Sequence, residues 1–274
     1  MTLADSISAS HDLRGSGTGG RTRLRIGDVW IDAVTLSEAL EAIERLVATR
    51  CGGAVFTPNV DHLVKASMQE AFRDAYSRVT LSLADGMPLV WVSRLLGCSL
   101  PERVAGSDLL LPLLQRAARC GWSVYLLGGG PGVAEAASKM LGSEMGIAVA
   151  GWDDARIEPD GSDRGGESIA RARAASADLI LVALGPPKQE LWIDRARRAG
   201  VPGVAIGVGA SLDFLVGKYR RAPRWMARTG LEWLFRLVQE PRRLWRRYLL
   251  EGPRFVGICV RTWRAPRESR IEAP

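Results

Sequence analysis

From Ile26 onward the sequence alternates short apolar runs with amphipathic segments, and this alternation is the strongest constraint on the fold. The apolar runs have the length of buried strands, and most end in glycine or polar residues. We predict strands at 28–33, 54–57, 79–83, 122–127, 147–150, 178–184 and 203–208. Strands that alternate with helices form a parallel sheet covered on both faces. The predicted class is therefore α/β, a Rossmann-like mainly parallel sheet with helices on both faces.

Several helix boundaries are predicted by local sequence. Thr35 and Glu38 form a capping-box pattern at the start of a helix. Ser107 is suited to cap a later helix, and Pro131 to be the first residue of the helix after a glycine turn. Pro241 permits a new helix to begin at the next residue.

Positive charge is concentrated in the C-terminal quarter. Residues 218–264 contain thirteen Lys or Arg and three Glu, a local charge of +10, whereas the whole chain carries +7. Aromatic residues such as Trp233 and Trp245 are interleaved with the arginines at helical spacing. This combination is typical of a helix that binds an anionic membrane surface or a phosphate-rich ligand. A solvated helix face, or a general preference for arginine in the genome, is the alternative explanation.

The composition divides the chain into four segments. We predict a disordered leader at 1–23, a catalytic α/β domain at 24–216, a basic amphipathic membrane-binding appendage at 217–264 and a tail at 265–274. The leader lacks the apolar region of a signal peptide, and no run approaches the ~20 apolar residues of a membrane span. The four cysteines are scattered, which fits a reducing compartment. These features predict a cytoplasmic protein that is peripheral on the inner face of the plasma membrane.

Polar residues follow four of the predicted strands, where ligands bind in folds of this class. Asp85, between an apolar strand and Gly86, is a candidate general base, with a helix cap as the alternative. Asn59 could likewise serve only as a helix cap. The alternative for Arg103 is a surface ion pair with Glu102 or another neighbour. Gln189 lies in a predicted first helical turn, where polar residues often serve only the helix dipole.

The glycine run at 128–130 resembles a phosphate-binding loop, because glycine lets backbone N–H groups approach an anion. The G-x-G-x-x-G pattern fails, since its third glycine is replaced by Val133, and no Walker lysine is present. A tight turn without a ligand therefore remains an alternative for Gly128 and Gly129.

Taken together, these segments closely resemble the WecG/TagA/CpsF bacterial glycosyltransferases (glycosyltransferase family 26). Each motif is modest by itself, but the ordered set is specific and covers roughly residues 26 to 250. The matching stretches are Thr57-Pro58-Asn59, 84–91, 103–109, Gly128-Gly129, 183–190, 207–214, 221–225, 230–233 and 240–243.

The resemblance implies an inverting, metal-independent transfer without a cofactor. The implied donor is a UDP-sugar and the implied acceptor a polyprenyl-diphosphate-linked saccharide, in exopolysaccharide or cell-wall biosynthesis. An N-acetylmannosaminyltransferase-like activity is expected. By resemblance, Asp85 is the base and Arg103 a second catalytic-pocket residue. The implied substrate-binding residues are Thr57, Asn59, Gly128, Gly129, Gln189, Arg236, Arg243 and Arg246. The last three are expected to reach the donor diphosphate, with anionic inner-leaflet lipid as a partner of the same segment.

Two other functions are weighed against this one. A dinucleotide-dependent oxidoreductase would need an acidic residue to end the strand after the glycine helix, where Asp153 is slightly off-pattern. A non-enzymatic nucleic-acid-binding protein would use the basic segment but leave Asp85 without a role, and we expect no nucleic-acid partner. A further hypothesis is that the apolar side of the basic segment packs between subunits of a homo-oligomer.

Overall fold

The computed structural model of the chain describes residues 20–218, 226, 235, 237 and 241–273, with the backbone alone at 241–250. The strands are β1 (Arg23–Ile26), β2 (Val29–Asp32), β3 (Gly53–Phe56), β4 (Leu81–Ser82), β5 (Val124–Gly128), β6 (Val149–Asp153), β7 (Leu179–Ala183), β8 (Val204–Gly207) and β9 (Ile271–Glu272). The helices are α1 (Leu36–Thr49), α2 (Val60–Met68), α3 (Glu70–Ser77), α4 (Met87–Leu95), α5 (Gly106–Cys120), α6 (Val133–Met145), α7 (Glu167–Ala175), α8 (Lys188–Arg198), α9 (Ser211–Leu215) and α10 (Pro241–Arg264).

Six strands form a parallel sheet in the order β4-β3-β8-β7-β5-β6. Successive side chains of a strand point to opposite faces, so a strand covered on both faces is apolar throughout. In β7, Ile180 and Val182 enter one core, whereas Leu179 and Leu181 enter the other. Helices α1, α5, α6 and α9 contribute to the second core, and α2, α3, α7 and α8 to the first. The predicted Rossmann-like α/β class is confirmed.

Local sequence predicts some helix ends correctly and others not. The capping box of α1 is present, because the Thr35 hydroxyl accepts from the Glu38 N–H and the Glu38 carboxylate accepts from the Thr35 N–H. Helix α10 begins at Pro241, one residue before the predicted start. Two predicted starts are wrong. Helix α5 is capped by Ala105 rather than Ser107, since it begins at Gly106, where a Cβ would lie 3.4 Å from Val208 Cα. Helix α6 begins at Val133, because the left-handed Gly132 (φ 74°) separates it from Pro131.

A small antiparallel sheet, β2-β1-β9, was not predicted. Residue Leu24 pairs with Ile31 on one side and with Ile271 on the other, so the first and last strands of the described residues are neighbours. Asp32 joins this sheet to the large one: it accepts a hydrogen bond from the Ser82 N–H (2.7 Å) and forms an ion pair with Arg23 (3.6 Å). The carboxyl-terminal residues are therefore part of the folded body.

The second half of α10 docks on this small sheet and on α2. Ile258 is buried, and the Thr262 hydroxyl accepts a hydrogen bond from the backbone N–H of Gly27 (2.9 Å). The opposite side of the same helix leaves Val256, Val260 and Trp263 exposed. Among the residues described, no helix combines the length and apolarity needed to cross a bilayer.

Candidate active site

The carboxyl ends of β3, β4 and β8 lie side by side and bring the first predicted site residues together. Thr57 follows β3, and its hydroxyl donates to the carbonyl of Gly207 at the end of β8 (3.3 Å). The N–H of Asp85, beyond β4, donates to the Pro58 carbonyl (2.8 Å). The sheet order thus places Thr57 and Asp85 on adjacent loops at one edge, as expected for strands that run parallel.

Asp85 does not serve as a helix cap. The cap position of α4 is occupied by Gly86, with a φ of 130°, and no side chain makes a capping hydrogen bond there. The Asp85 side chain keeps 28% of its surface exposed, so its carboxylate lies at the boundary between protein and solvent. The alternative of a capping aspartate is therefore excluded, and a carboxylate remains at the edge of the sheet where a general base would be needed.

Arg103 connects two carboxylates at this edge. Its Nη1 lies 3.8 Å from Asp85 Oδ1, and its Nη2 donates to Asp108 Oδ2 at the start of α5. The alternative partner, Glu102, instead accepts a hydrogen bond from the backbone N–H of Leu36. The Arg103 side chain is only 11% exposed, so its guanidinium lies largely within the protein between these two carboxylates.

Asn59 has a structural role that the sequence left open. Its Oδ1 accepts from the N–H groups of Asp61 (3.1 Å) and His62 (3.4 Å), which caps α2. A capping asparagine uses its carbonyl oxygen and keeps its amide N–H groups for other partners. Substrate binding by Asn59 stays a prediction.

The glycine turn after β5 packs tightly against β7 and meets two charged residues. Gly128 and Gly129 both have a φ of 86°, and the Gly129 N–H donates to the Ala183 carbonyl (2.7 Å). The Gly130 N–H approaches Asp213 Oδ1 (3.4 Å), which also lies 3.8 Å from Lys218 Nζ. A carboxylate and an ammonium group therefore stand at the turn, and a side chain on Gly130 would collide with the Lys218 amine.

Sequence reasoning missed Asp213 and Lys218 as residues of this site. Asp213 lies within the motif 207–214 that carries the family resemblance, so the segment was noted but the residue was not. Lys218 was counted only in the basic segment. Their proximity to the glycine turn depends on the adjacent placement of β5, β7 and β8, which local sequence does not specify.

Gln189 lies in the first turn of α8 and is almost completely buried. Its Oε1 accepts from the Gly209 N–H (2.9 Å), and its Nε2 donates to Glu190 Oε1 (2.7 Å). Gln189 thus has tertiary contacts, in contrast to the alternative of a simple dipole partner. Burial raises the pKa of Glu190 to about 7.

His62 and Tyr76 form a buried polar pair whose hydroxyl lies within electrostatic range of Glu190. His62 Nδ1 is 2.6 Å from the Tyr76 hydroxyl, which links α2 to α3. Burial raises the pKa of Tyr76 well above its usual value, and the negative charges of Glu190 and Asp85 add to this effect. The pKa of Tyr76 therefore depends on the charge of both the buried Glu190 and Asp85 at the edge of the sheet.

The structure does not place all the predicted arginines. Arg236 lies outside the described residues. Arg243 and Arg246 fall within the first turns of α10, where the backbone alone is described. Contact between these arginines and a donor diphosphate stays a prediction.

The model of the glycosyl transferase WecG/TagA/CpsF family matches residues 24–269. This range includes all of the strand ends described above and helix α10. The chain belongs to this family. It is also similar to an N-acetylglucosaminyldiphosphoundecaprenol N-acetyl-beta-D-mannosaminyltransferase from Bacillus spizizenii, with 33% identity over 215 residues, 78% of this chain and 81% of the relative. Members of the family are glycosyltransferases, and this chain is accordingly a glycosyltransferase.

Family membership leaves the two alternative functions without support. The acidic residue that an oxidoreductase would offer to a ribose is Asp153, at the end of β6. Asp153 is buried and engaged, since its carboxylate accepts from Arg171 Nε (2.9 Å) and from the Ala155 N–H (2.8 Å).

Proposed function

We propose that this glycosyltransferase moves a sugar from a UDP-sugar to a polyprenyl-diphosphate-linked saccharide during assembly of a cell-surface polysaccharide. The observation that carries the proposal is the Asp85 carboxylate. It does not cap helix α4, and it lies at the sheet edge facing the Arg103 guanidinium. The activity named for the Bacillus spizizenii relative supports a lipid-diphosphate acceptor and an N-acetylmannosamine-type donor.

Asp85 acts as the general base in this reaction. Its carboxylate takes the proton of the acceptor hydroxyl while that oxygen attacks the anomeric carbon. The new C–O bond forms on the face opposite the leaving group, the bond to the nucleoside diphosphate breaks, and the configuration inverts. Arg103 holds the carboxylate in place, and Thr57 shapes the neighbouring wall of the pocket.

The leaving nucleoside diphosphate develops negative charge, and the protein supplies cations to stabilise it. Lys218 places its amine beside Gly130, directly after Gly128 and Gly129. In this proposal the other cations that bind the diphosphate are Arg236, Arg243 and Arg246. A planar guanidinium group can donate two parallel hydrogen bonds to the oxygens of one phosphate. Stabilisation by these side chains is consistent with a transfer that uses no metal ion.

The acceptor lipid requires the enzyme to work at the inner face of the plasma membrane. The exposed side of α10 combines Val256, Val260 and Trp263 with Arg264. Arg254 and Arg261 are also exposed but lie nearer the docked side, where Arg254 donates to Met68 Sδ of α2 (3.4 Å). Apolar and aromatic side chains that insert between headgroups, together with cations that attract anionic lipid, are the features of interfacial helices. We therefore assign membrane attachment to this side of α10 and the basic residues before it.

Nucleotide release tests the proposed reaction. Purified protein is mixed with each member of a UDP-sugar panel and with anionic vesicles that contain or lack a polyprenyl-diphosphate-linked saccharide. We expect UDP release from one donor, and only with the acceptor-containing vesicles. Release that ignores the acceptor, or no release from any UDP-sugar, would overturn the proposed donor and acceptor pair.

A further inference from the structure

The side-chain amide of Gln189 is held at both ends. Its carbonyl oxygen accepts from the Gly209 N–H (2.9 Å) beyond β8, and its nitrogen donates to Glu190 Oε1 (2.7 Å). The amide also rests on Gly207, where a Cβ would collide with Nε2. Gly207 in turn accepts the hydrogen bond from Thr57, so Gln189 and Thr57 meet at the same residue of the sheet edge.

Glu190 is an unusual residue for a fully buried position. Its side chain is fully buried, and among the described residues its Oε2 has no hydrogen-bond partner. A buried acceptor without a partner costs stability, and an apolar side chain of similar size would avoid that cost. The Oε1 contact with Gln189 is thus the feature that an apolar replacement would lose.

The charged groups around Glu190 give no competing explanation. The cation that faces it is Lys65 of α2, which already forms an ion pair with Asp61 one turn away. From α3, Tyr76 is close enough for the Glu190 charge to raise its pKa, and the Tyr76 hydroxyl lies 2.6 Å from His62 Nδ1. The Glu190 carboxylate accepts its side-chain hydrogen bond from Gln189, on its own helix.

We propose that Glu190 is a positioning residue that fixes the orientation of the Gln189 amide for the transfer reaction. A carboxylate accepts hydrogen bonds, whereas the Gly209 N–H donates one. Together they hold the nitrogen of the Gln189 amide towards Glu190 and its oxygen towards Gly209. One amide N–H then remains for an oxygen atom of the sugar substrate beside Thr57. This inference rests on the proposed function, in which Gln189 lines the pocket.

Four variants test the inference through kinetics: Glu190→Met, Glu190→Gln, Gln189→Ala and the double variant Glu190→Met/Gln189→Ala. We expect Glu190→Met to lower kcat/KM by about 10- to 100-fold, as for other small displacements of a substrate-positioning group. Glu190→Gln keeps an acceptor oxygen for the Gln189 amide, so we expect it to retain most of the wild-type activity that Glu190→Met loses. The double variant should be no worse than Gln189→Ala, because residues that act through one another are not additive.

A purely structural role predicts a different pattern. Glu190→Met would then lower the melting temperature, and its kinetic loss would add to that of Gln189→Ala. We expect instead an unchanged or raised melting temperature for Glu190→Met, since the unpartnered oxygen is removed with the carboxyl group. Additive losses, or a Glu190→Met enzyme with wild-type kinetics, would overturn the inference.

A second readout does not depend on catalysis. In ¹⁵N-labelled protein, the Gln189 side-chain amide is identified by its disappearance in Gln189→Ala, and its hydrogen exchange is compared in wild type and Glu190→Met. We expect slow exchange that becomes faster when Glu190 is replaced. If wild-type protein transfers no sugar but this protection is seen, the proposed function fails while the Glu190–Gln189 coupling stands. Equal exchange in the two proteins would overturn the coupling itself.

Discussion

The buried carboxyl group of Glu190 makes stability depend on pH. Burial raises its pKa from 4.5 to about 7, so the unfolded chain releases this proton at a lower pH than the folded protein does. The contribution of Glu190 is most favourable below pH 4.5, and it is lost as the pH rises towards 7. A shift of this size corresponds to roughly 3 kcal/mol.

Urea unfolding of wild type and Glu190→Gln between pH 4.5 and 8 measures this effect. We expect the free energy of unfolding of wild type to fall relative to Glu190→Gln as the pH rises, and the difference to level off above about 7. Glu135→Gln, a change on the exposed side of α6, controls for the loss of one negative charge. Parallel curves for wild type and Glu190→Gln would show that residue 190 titrates normally.

Gly207 offers a second test at the level of one residue. A methyl group there would collide with the Gln189 amide, although the backbone conformation of Gly207 suits any residue. We expect Gly207→Ala to cost about 1–3 kcal/mol and to lower activity strongly, because the amide must move. Gly53→Ala is the matched control on β3, since its nearest contact is the end of the Leu46 side chain at 3.1 Å. Wild-type activity in Gly207→Ala would remove Gln189 from the pocket.

Sequence reasoning at this scale located Asp85 at a strand end but did not exclude the capping alternative. The decision required the position of Gly86 at the start of α4. Glu190 and Lys218 were not predicted as site residues, because their significance comes from partners on other elements. Their side chains carry no local pattern that distinguishes them from ordinary surface charges.

At the level of elements, the inner strands of the large sheet, β3, β5, β7 and β8, were predictable because both of their faces are buried. Such strands are continuous apolar runs bounded by glycine or polar residues, as in β7 and β8. The small sheet was not predictable for the opposite reason. Strand β9 has two residues in a charged segment, and it is stabilised by pairing with β1 from the other end of the chain.

The two sides of α10 should respond differently to substitution. Replacing Val256, Val260 and Trp263 together by serine removes exposed apolar surface, so we expect weaker binding to anionic vesicles, by roughly tenfold or more, with little change in melting temperature. Ile258→Ser on the buried side should lower the melting temperature instead. Vesicle sedimentation and thermal unfolding separate the two effects, and unchanged vesicle binding in the triple variant would place the membrane site elsewhere.

Point variants are preferable to truncation in this experiment. Removing everything after Lys218 would also remove β9 and the docked half of α10, both of which contact β1. Loss of vesicle binding in a truncated chain would then follow from unfolding as readily as from loss of a membrane contact.

At the level of the whole molecule, charge is distributed unevenly. Residues 218–264 carry +10 in a chain of +7, so the remainder is slightly acidic. We expect the initial rate on vesicle-borne acceptor to rise with the anionic lipid fraction and to fall steeply as salt is raised from about 0.05 to 0.5 M. Zwitterionic vesicles containing the same acceptor are the control, and identical salt dependence on both kinds of vesicle would contradict an electrostatic attachment.

The α/β class and the glycosyltransferase family were both predictable from sequence, since each depends on an ordered set of motifs over most of the chain. The identity of the transferred sugar was not, because recognition of sugar hydroxyl groups depends on side chains from several loops at once. The proximity of Lys218 and Asp213 to the glycine turn illustrates this dependence on loops that are distant in sequence.

The most direct test of the account compares Asp85→Asn with Asp108→Asn. Both carboxylates contact Arg103, and both side chains are 28% exposed, so the two variants make matched changes in charge. With donor and lipid-linked acceptor, we expect Asp85→Asn to lower the transfer rate by about 10²- to 10⁴-fold at unchanged UDP binding and melting temperature, and Asp108→Asn by less than about tenfold. Similar rates for wild type and Asp85→Asn, or equal losses in the two variants, would contradict the assignment of Asp85 as the base.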